Sequence, residues 1–374
     1  MSISLQADSN LPQGYILVNG TAAATVKQDG SIAVPTLSAT NITTSSNLTI
    51  PVGSYVNRPA TPIDGSLRYS TSLSAVEIYS RANNNWYTIN DGIVSTPAYA
   101  STGGTITTSG PWRIHTFTSG TSSITFTQSG RIQFLLVGGG GAGGWDVPGG
   151  GGGGGVVYSS AYPISAGTYN VTIGNGGTAP QSQAAATLGN GGTTAFNNIS
   201  AFGGGGGGNW NGYPPLRSST NAGVGCGGGG DGRGVNVFSS GGITTMRRDL
   251  YPYCICYANP GGPGGGTSDS YAIGGGGGGA GLPGESGDAG VARGGDGIPL
   301  DISGTLTYYA GGGGGASNAG TFLGLGGLGG GGTAASTGNP GTANTGGGGG
   351  AAFGSGTNNG TGGSGIAIIR YLVQ

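Results

Sequence analysis

This chain is poor in the side chains that carry chemistry. Only 7% of its 374 residues are charged, Lys27 is its one lysine, and His115 is its one histidine. The formal net charge of −1 leaves no basic footprint for a nucleic acid. His115 alternates with apolar neighbours Ile114 and Phe117 in a strand candidate, so a structural role is expected and no Ser-His-Asp triad can form around it. The single lysine lies outside every glycine run, which excludes a P-loop. Of three cysteines, Cys254-Ile-Cys256 has the wrong spacing for a metal or redox pair. Cys226 is free to bridge to one of them in an oxidising setting, or all three remain thiols. Asp296 and Asp301 lack the ligand density of a calcium loop. No metal, no cofactor and no enzymatic activity are expected. No stretch of 18 apolar residues exists, so no membrane insertion is expected. Met1–Asp8 does not read as a signal peptide. No helical period survives over 11 residues, which excludes an α-helical domain.

What the chain has is glycine. Of 93 glycines only 11 precede Gly138, so 82 fall in the remaining residues. Near-pure runs occupy 138–144, 149–155, 203–208, 227–230, 274–279, 311–315 and 346–350, with interrupted runs at 261–266 and 326–332. Such a segment cannot build a side-chain core. Flexible spacers have this composition too, but these runs recur at similar lengths between segments of different character, and the chain closes on an apolar strand candidate, 365–373. An α-helix disfavours glycine by about 1 kcal/mol per residue, and a strand of glycine leaves nothing to pack. The three-residue-per-turn helix remains, with φ near −75° and ψ near +145°. Collagen is excluded because glycine does not recur strictly at every third position. Without Cβ atoms, several such helices can lie side by side and bond backbone to backbone. One run gains little over its ordering entropy; a bundle satisfied on all sides stands.

Upstream, residues 1 to about 50 alternate in short strands, with Asn19-Gly20 and Asp29-Gly30 as hairpin signals. Residues 51–92 read as a small β unit whose core holds Leu67, Tyr69, Tyr79 and Trp86. Residues 93–137 contain strand candidates 112–117, 122–126 and 131–137, and further strands are expected at 154–158 and 169–173. The apolar segments 131–137 and 365–373 flank the glycine region and are expected to pair.

Ile50-Pro-Val-Gly, Arg58-Pro-Ala-Thr-Pro-Ile-Asp-Gly-Ser-Leu-Arg-Tyr69, Val76-Glu-Ile-Tyr79 and Asn85-Trp-Tyr87 together resemble a module of tail-fibre and other structural proteins of tailed phages. From about residue 114, Phe117, Ile124, Phe126, Gly130, Leu135–Gly141 and Ser364-Gly-Ile-Ala-Ile-Ile-Arg-Tyr371 resemble the glycine-rich domain of phage fibre tips and adhesins. The fold expected is all-β N-terminal fibre segments plus a glycine-rich domain of packed polyglycine II helices with a few β-strands. The divisions expected are 1–50 for virion attachment and trimerisation, 51–92 for the fibre module, 93–137 leading into the tip, and 138–374 as the tip, closed by 365–373. The resemblance implies a virion tail fibre exposed to the medium, a homotrimer, held by its N-terminus to a tail or baseplate protein. Its tip would contact a host surface glycan or protein.

Loops on a rigid scaffold carry recognition, and Tyr, Trp and Arg dominate binding hot spots. The insert 209–226 offers Trp210, Tyr213 and Arg217; the insert 231–260 offers Arg247, Arg248, Tyr251, Tyr253 and Tyr257. Both inserts are expected together at the far tip, away from residues 1–50, where they make the host contact. The same aromatics could instead pack on one another to fold their loops. The alternative function is a head, collar or baseplate fibre that touches only other virion proteins.

Overall fold

The computed structural model describes the strand paths of residues 1–50 and most of 51–374. Outside the description lie the rest of 1–50 and 54–58, 60, 63, 65, 71–74, 82–84, 91–92, 96–98, 146, 180–188, 210–224, 233–239, 245, 247, 249, 267–271, 291, 318–322, 354–358 and 374. The chain divides into two compact units, Met1–Pro51 and Val52–Gln374. The first is an antiparallel sheet of β1 (Ile3–Ala7), β2 (Gln13–Val18), β3 (Thr21–Lys27) and β4 (Ile32–Ala33), in that order. Asn19-Gly20 separates β2 from β3, which pair as a hairpin should.

The second unit opens with a five-stranded sheet: β5 (Val52–Gly53), β6 (Leu67–Ser70), β7 (Ala75–Ser80), β8 (Asn85–Asn90) and β9 (Ile93–Ser95). Tyr79 and Trp86 are buried against each other, ring centroids 5.5 Å apart. Leu67 corrects the expectation, being 39% exposed. The buried face of β6 carries Arg68 and Ser70 instead, because side chains alternate along a strand. Arg68 reaches Glu77, its cross-strand partner, at 3.8 Å and stands 5.9 Å from the Trp86 ring centre.

A two-sheet sandwich follows. Its strands are β10 (Tyr99–Thr102), β11 (Thr105–Ser109), β12 (Trp112–Phe117), β13 (Thr121–Gln128), β14 (Gly130–Val137), β15 (Val156–Ile164), β16 (Gly167–Thr172), β17 (Thr194–Phe196), β18 (Ile199–Ala201), β19 (Ile255–Tyr257) and β22 (Ile366–Leu372). A separate hairpin pairs β20 (Ile298–Leu300) with β21 (Thr307–Tyr309). One sheet runs β10-β13-β16-β17-β18 and the other β11-β12-β22-β14-β15-β19. Phe126, Val171 and Phe196 from the first meet Phe134, Leu136, Ile369 and Tyr371 from the second. The second sheet's other face (Ile114, Leu135, Val137, Ile366, Ile368) is covered by Cys226, Ile302, Tyr309 and Ala310. Burial on both faces is why 134–137 and 366–369 read as unbroken apolar runs. The closing strand β22 lies between β12 and β14, so 131–137 and 365–373 do pair. Among the described residues the fold is all-β, with a single 3-10 turn at Gly287–Ala289 and no α-helix.

The glycine runs are continuations of these strands. In β14 and β15, Val137 faces Val156; beyond them Gly138, Gly141 and Gly144 donate to Gly155, Gly152 and Gly149 with no slip in register. In β14 and β22, Val137 faces Ile366; beyond, Gly140 and Gly143 donate to Gly363 and Gly360. The other sheet does the same. Thr172 faces Ala195 and then Gly192 donates to Asn175; Thr194 faces Ala201 and then Gly191 donates to Gly204. What changes is the period. A strand's side chains and hydrogen-bonding groups repeat every two residues; here the donors repeat every three. Along one run, Gly150 and Gly153 donate to Gly275 and Gly278, Gly151 and Gly154 to Gly349 and Gly346, Gly152 and Gly155 to Gly205 and Phe202. Carbonyls of the same run accept from Gly141, Cys226, Gly229 and Gly313. That is six neighbouring runs around one, the packing of three-residue-per-turn polyglycine helices. The runs 274–279 and 311–316 are surrounded in the same way: Gly277 donates to Gly313, Gly278 to Gly227, Gly312 to Gly295 and Gly314 to Gly332.

The rim of the bundle has its own signature. Its runs carry side chains three residues apart, one turn of such a helix, around Gly-Gly or, after Leu282 and Asn339, Pro-Gly: Asn175 and Thr178, Asn190 and Thr193, Ser240 and Ile243, Pro260 and Pro263, Leu282 and Glu285, Arg293 and Asp296, Leu325 and Leu328, Asn339 and Thr342, Thr361 and Ser364. The paired side chains are exposed or, for Asp296 and Ser364, half-buried. Where a run lacks a backbone neighbour, an asparagine amide supplies the missing peptide group: Asn190 Oδ1 accepts from Gly206 N–H at 2.9 Å, and Asn259 Nδ2 donates to the Gly279 and Ala280 carbonyls.

Candidate functional site

Every run must turn, and the turns gather at two ends of the bundle. Near the sandwich stand Gly138, Gly155 and Gly365, where runs become strands. At the far end stand Gly144, Gly149, Gly208 and Ala316, since Gly144 donates to Gly149, Gly208 to Gly229 and Ala316 to Pro148. The far end is sealed by Trp145, which is buried and whose backbone N–H donates to Asn209 Oδ1 at 2.7 Å. It also holds the 3-10 turn, capped by Ser286 and Gly290; within it Asp288 Oδ1 accepts from Gly266 N–H at 3.3 Å. Trp210, Tyr213 and Arg217 follow Asn209 directly and, like Arg247, lie outside the described residues.

The insert 231–260 starts at this far end, where Gly232 N–H donates to the Val147 carbonyl. Its described part returns to the sandwich, where β19 pairs with β15. Alternation along the strand explains the return: Cys254 and Cys256 enter the core between the sheets, together with Met246. The Met246 sulfur fills the space beside Gly155 where a Cβ would otherwise stand. The four described candidates divide. Tyr251 packs on this core, and its hydroxyl clips β18, accepting from Ser200 N–H at 3.1 Å and donating to the Ser200 carbonyl at 3.3 Å. Tyr257 lies half-buried on the sheet's other face, with the exposed Arg248 guanidinium 5.7 Å from its ring centre. Tyr253 is 60% exposed at a left-handed φ of 61°, and its carbonyl accepts from the Ser159 hydroxyl at 2.6 Å. Tyr253 and Arg248 are therefore the two that face solvent; Ile243 and Ile255 of the same insert are exposed too, which sequence reasoning passed over.

All three cysteines are buried thiols, none of them in a disulfide. Cys254 and Cys256 lie on one face of the six-stranded sheet and Cys226 on the other, so the sheet separates the bridge that the sequence left open. Burial pushes the Cys226 and Cys254 thiols up to about 12, the second helped by neighbouring Cys256, so both stay protonated at neutral pH. His115 is buried. Its Nδ1–H donates to the Gly103 carbonyl at 2.7 Å, and Nε2 lies 3.2 Å from the Tyr371 hydroxyl, which donates to the Ala100 carbonyl at 2.8 Å. Burial holds the imidazole below its usual pKa; the Gly103 bond opposes this and the Arg113 charge adds to it. Arg370 ties the closing strand to the hairpin region: Nε donates to Gln133 Oε1 at 2.8 Å, a terminal nitrogen to the Asp301 carbonyl at 2.9 Å, and the guanidinium stacks 4.5 Å from the Trp112 ring centre. Among the described residues, no three His, Cys, Asp or Glu side chains are grouped to hold a metal ion.

No curated protein matches this sequence. A family model described as a glycine-rich domain matches residues 116–372, the span from β12 through the bundle to the end of β22. The chain belongs to this glycine-rich domain family.

Proposed function

We propose that this chain is a tailed-phage tail fibre that mediates attachment to a host cell. The observation that carries the reading is the bundle. Its interior is backbone alone, so it recognises nothing by itself, yet the runs from which the connecting segments depart are held by hydrogen bonds on several sides. A rigid, charge-poor platform with aromatic and arginine side chains on its connections fits adhesion better than chemistry. The segment carrying Trp210, Tyr213 and Arg217 departs from the sealed far end. Arg248 and Tyr253 form a second exposed group beside the sandwich. A bacterial surface glycan or protein is the partner of matching chemistry, since aromatic rings stack on sugar faces. The N-terminal unit would join the virion and trimerise. Side chains too few to bury within one chain would then be covered between chains.

The test compares virions carrying the Trp210→Ala/Tyr213→Ala/Arg217→Ala and Arg248→Ala/Tyr253→Ala sets with wild type. Loss of adsorption by either set, with normal incorporation and melting of the fibre, supports attachment. A hot-spot aromatic contributes about 2 kcal/mol or more per site, multiplied by valency. Normal adsorption by both sets, with purified protein unable to compete for cells, leaves the chain as a structural head, collar or baseplate fibre.

A further inference from the structure

The rim of the bundle is two-sided, and one side is built to meet another surface. Four of the nine rim pairs present only Asn, Thr and Ser. Three adjacent runs instead carry leucine and charge, and hydrogen bonds fix their backbones in a grid. Leu282 N–H donates to the Asp296 carbonyl, and Leu328 N–H to Asp296 Oδ1, which sets Leu282, Asp296 and Leu328 in one line. Glu285 N–H donates to the Arg293 carbonyl, and Gly294 N–H to the Leu325 carbonyl, which sets Glu285, Arg293 and Leu325 in a second line. The lines are one helical turn apart, roughly 9 Å. Leu282, Leu325 and Leu328 are 55%, 51% and 55% exposed. Among the described residues neither Arg293 nor Asp296 makes an ion pair within the chain. A single exposed leucine means nothing, but three on one face, interleaved with Glu285, Arg293 and Asp296, mark a contact surface.

We infer that this face binds the same face of a second copy, with the runs of the two copies antiparallel. The charge pattern selects this arrangement. If a two-fold axis lies in the interface along the runs, Asp296 meets Asp296 and Arg293 meets Arg293, which repel. If it lies across the runs, the two lines exchange. Arg293 then meets Asp296 of the second copy, Asp296 meets its Arg293, and Leu325 and Leu328 meet reciprocally. Leu282 packs on the stem of Glu285. A closed, self-complementary pair results. The contact is independent of the attachment reading and of any trimer formed by the N-terminal unit.

The experiment measures the mass of the full-length protein against concentration by sedimentation equilibrium. Wild type should reach twice the mass of Leu325→Asp/Leu328→Asp. Arg293→Asp alone should weaken the doubling by about tenfold or more, as loss of an interface hot spot does. The charge exchange Arg293→Asp/Asp296→Arg should restore it, because each new charge again meets its opposite. Melting curves verify that the variants fold. Should an aspartate variant not fold, Leu325→Ser supplies the same reading. Equal masses for wild type and the leucine variants, or an exchanged pair as weak as Arg293→Asp, overturns the inference.

Discussion

Gly151 sits at the centre of the bundle, and replacing it with alanine tests the lattice directly. Its N–H donates to Gly349 at 2.9 Å and its carbonyl accepts from Gly313 at 2.8 Å. A Cβ built on Gly151 lands on the carbonyl of Gly141 and the backbone of Ala142, which have no side chain that could turn away. The two runs must separate, and the Gly141–Gly152 bond goes with the Gly151 pair. Three buried bonds left unmade cost about 1–3 kcal/mol each, or about 3–9 together. The lower unfolded-chain entropy of alanine returns only about 0.4–1 kcal/mol. The net loss is a large part of the roughly 5–15 kcal/mol that holds a typical domain. The assay is thermal and urea unfolding of the purified protein, with Thr361→Ala on the rim as control; an outward substitution of that kind stays within about 0.5 kcal/mol. Gly151→Ala should melt at least about 4 °C lower, at roughly 2 °C per kcal/mol for a unit this large. Melting within 2 °C of the Thr361→Ala control would refute a close-packed backbone lattice.

Arg370→Met keeps the stem but strands the buried Gln133 Oε1 and the Asp301 carbonyl, so stability should fall by roughly 2–4 kcal/mol; an unchanged denaturation midpoint would exclude the clamp. His115 gives a pH dependence with a definite sign. Its folded pKa lies below the usual 6.5, so its stabilising contribution is fully present above about pH 6.5 and is lost as pH falls through the lowered value. The melting temperature should therefore drop from pH 7.5 to pH 5 more steeply in wild type than in His115→Gln, and parallel profiles would sink the argument.

Much of the fold is legible in the sequence because its two periods differ so sharply. The apolar segments 131–137 and 365–373 announce a strand pair at the domain boundary, and uninterrupted glycine leaves one kind of close-packed helix. The x-Gly-Gly-x rim signature, such as Arg293-Gly-Gly-Asp296 and Leu325-Gly-Gly-Leu328, is equally visible once a three-residue turn is assumed, and it separates interior runs from rim runs. The candidate site was less legible. Cys254-Ile-Cys256-Tyr257 reads as part of a loop insert in isolation; only its pairing with β15 makes it a strand. Leu67 reads as core, but the neighbouring β6 positions Arg68 and Ser70 take the buried face, a choice set by tertiary packing rather than by hydrophobicity.

The abrupt change of composition at Val137–Gly138, Gly155–Val156 and Gly365–Ile366 has one physical cause. A sheet bonds sideways in a plane, so its faces must be covered by side chains. The same chains, carried past the sheet edge with their register intact, bond in three directions and become their own cover. Side chains are needed where the ladder is planar and forbidden where it is not. A β-branched residue placed one step too far, at Gly138, would meet the Phe202 carbonyl, and a glycine one step too early, at Val137, would empty a site in the core beneath the sheet. The boundary between the two halves of this domain is thus set residue by residue, by the point at which the hydrogen-bonding period passes from two to three.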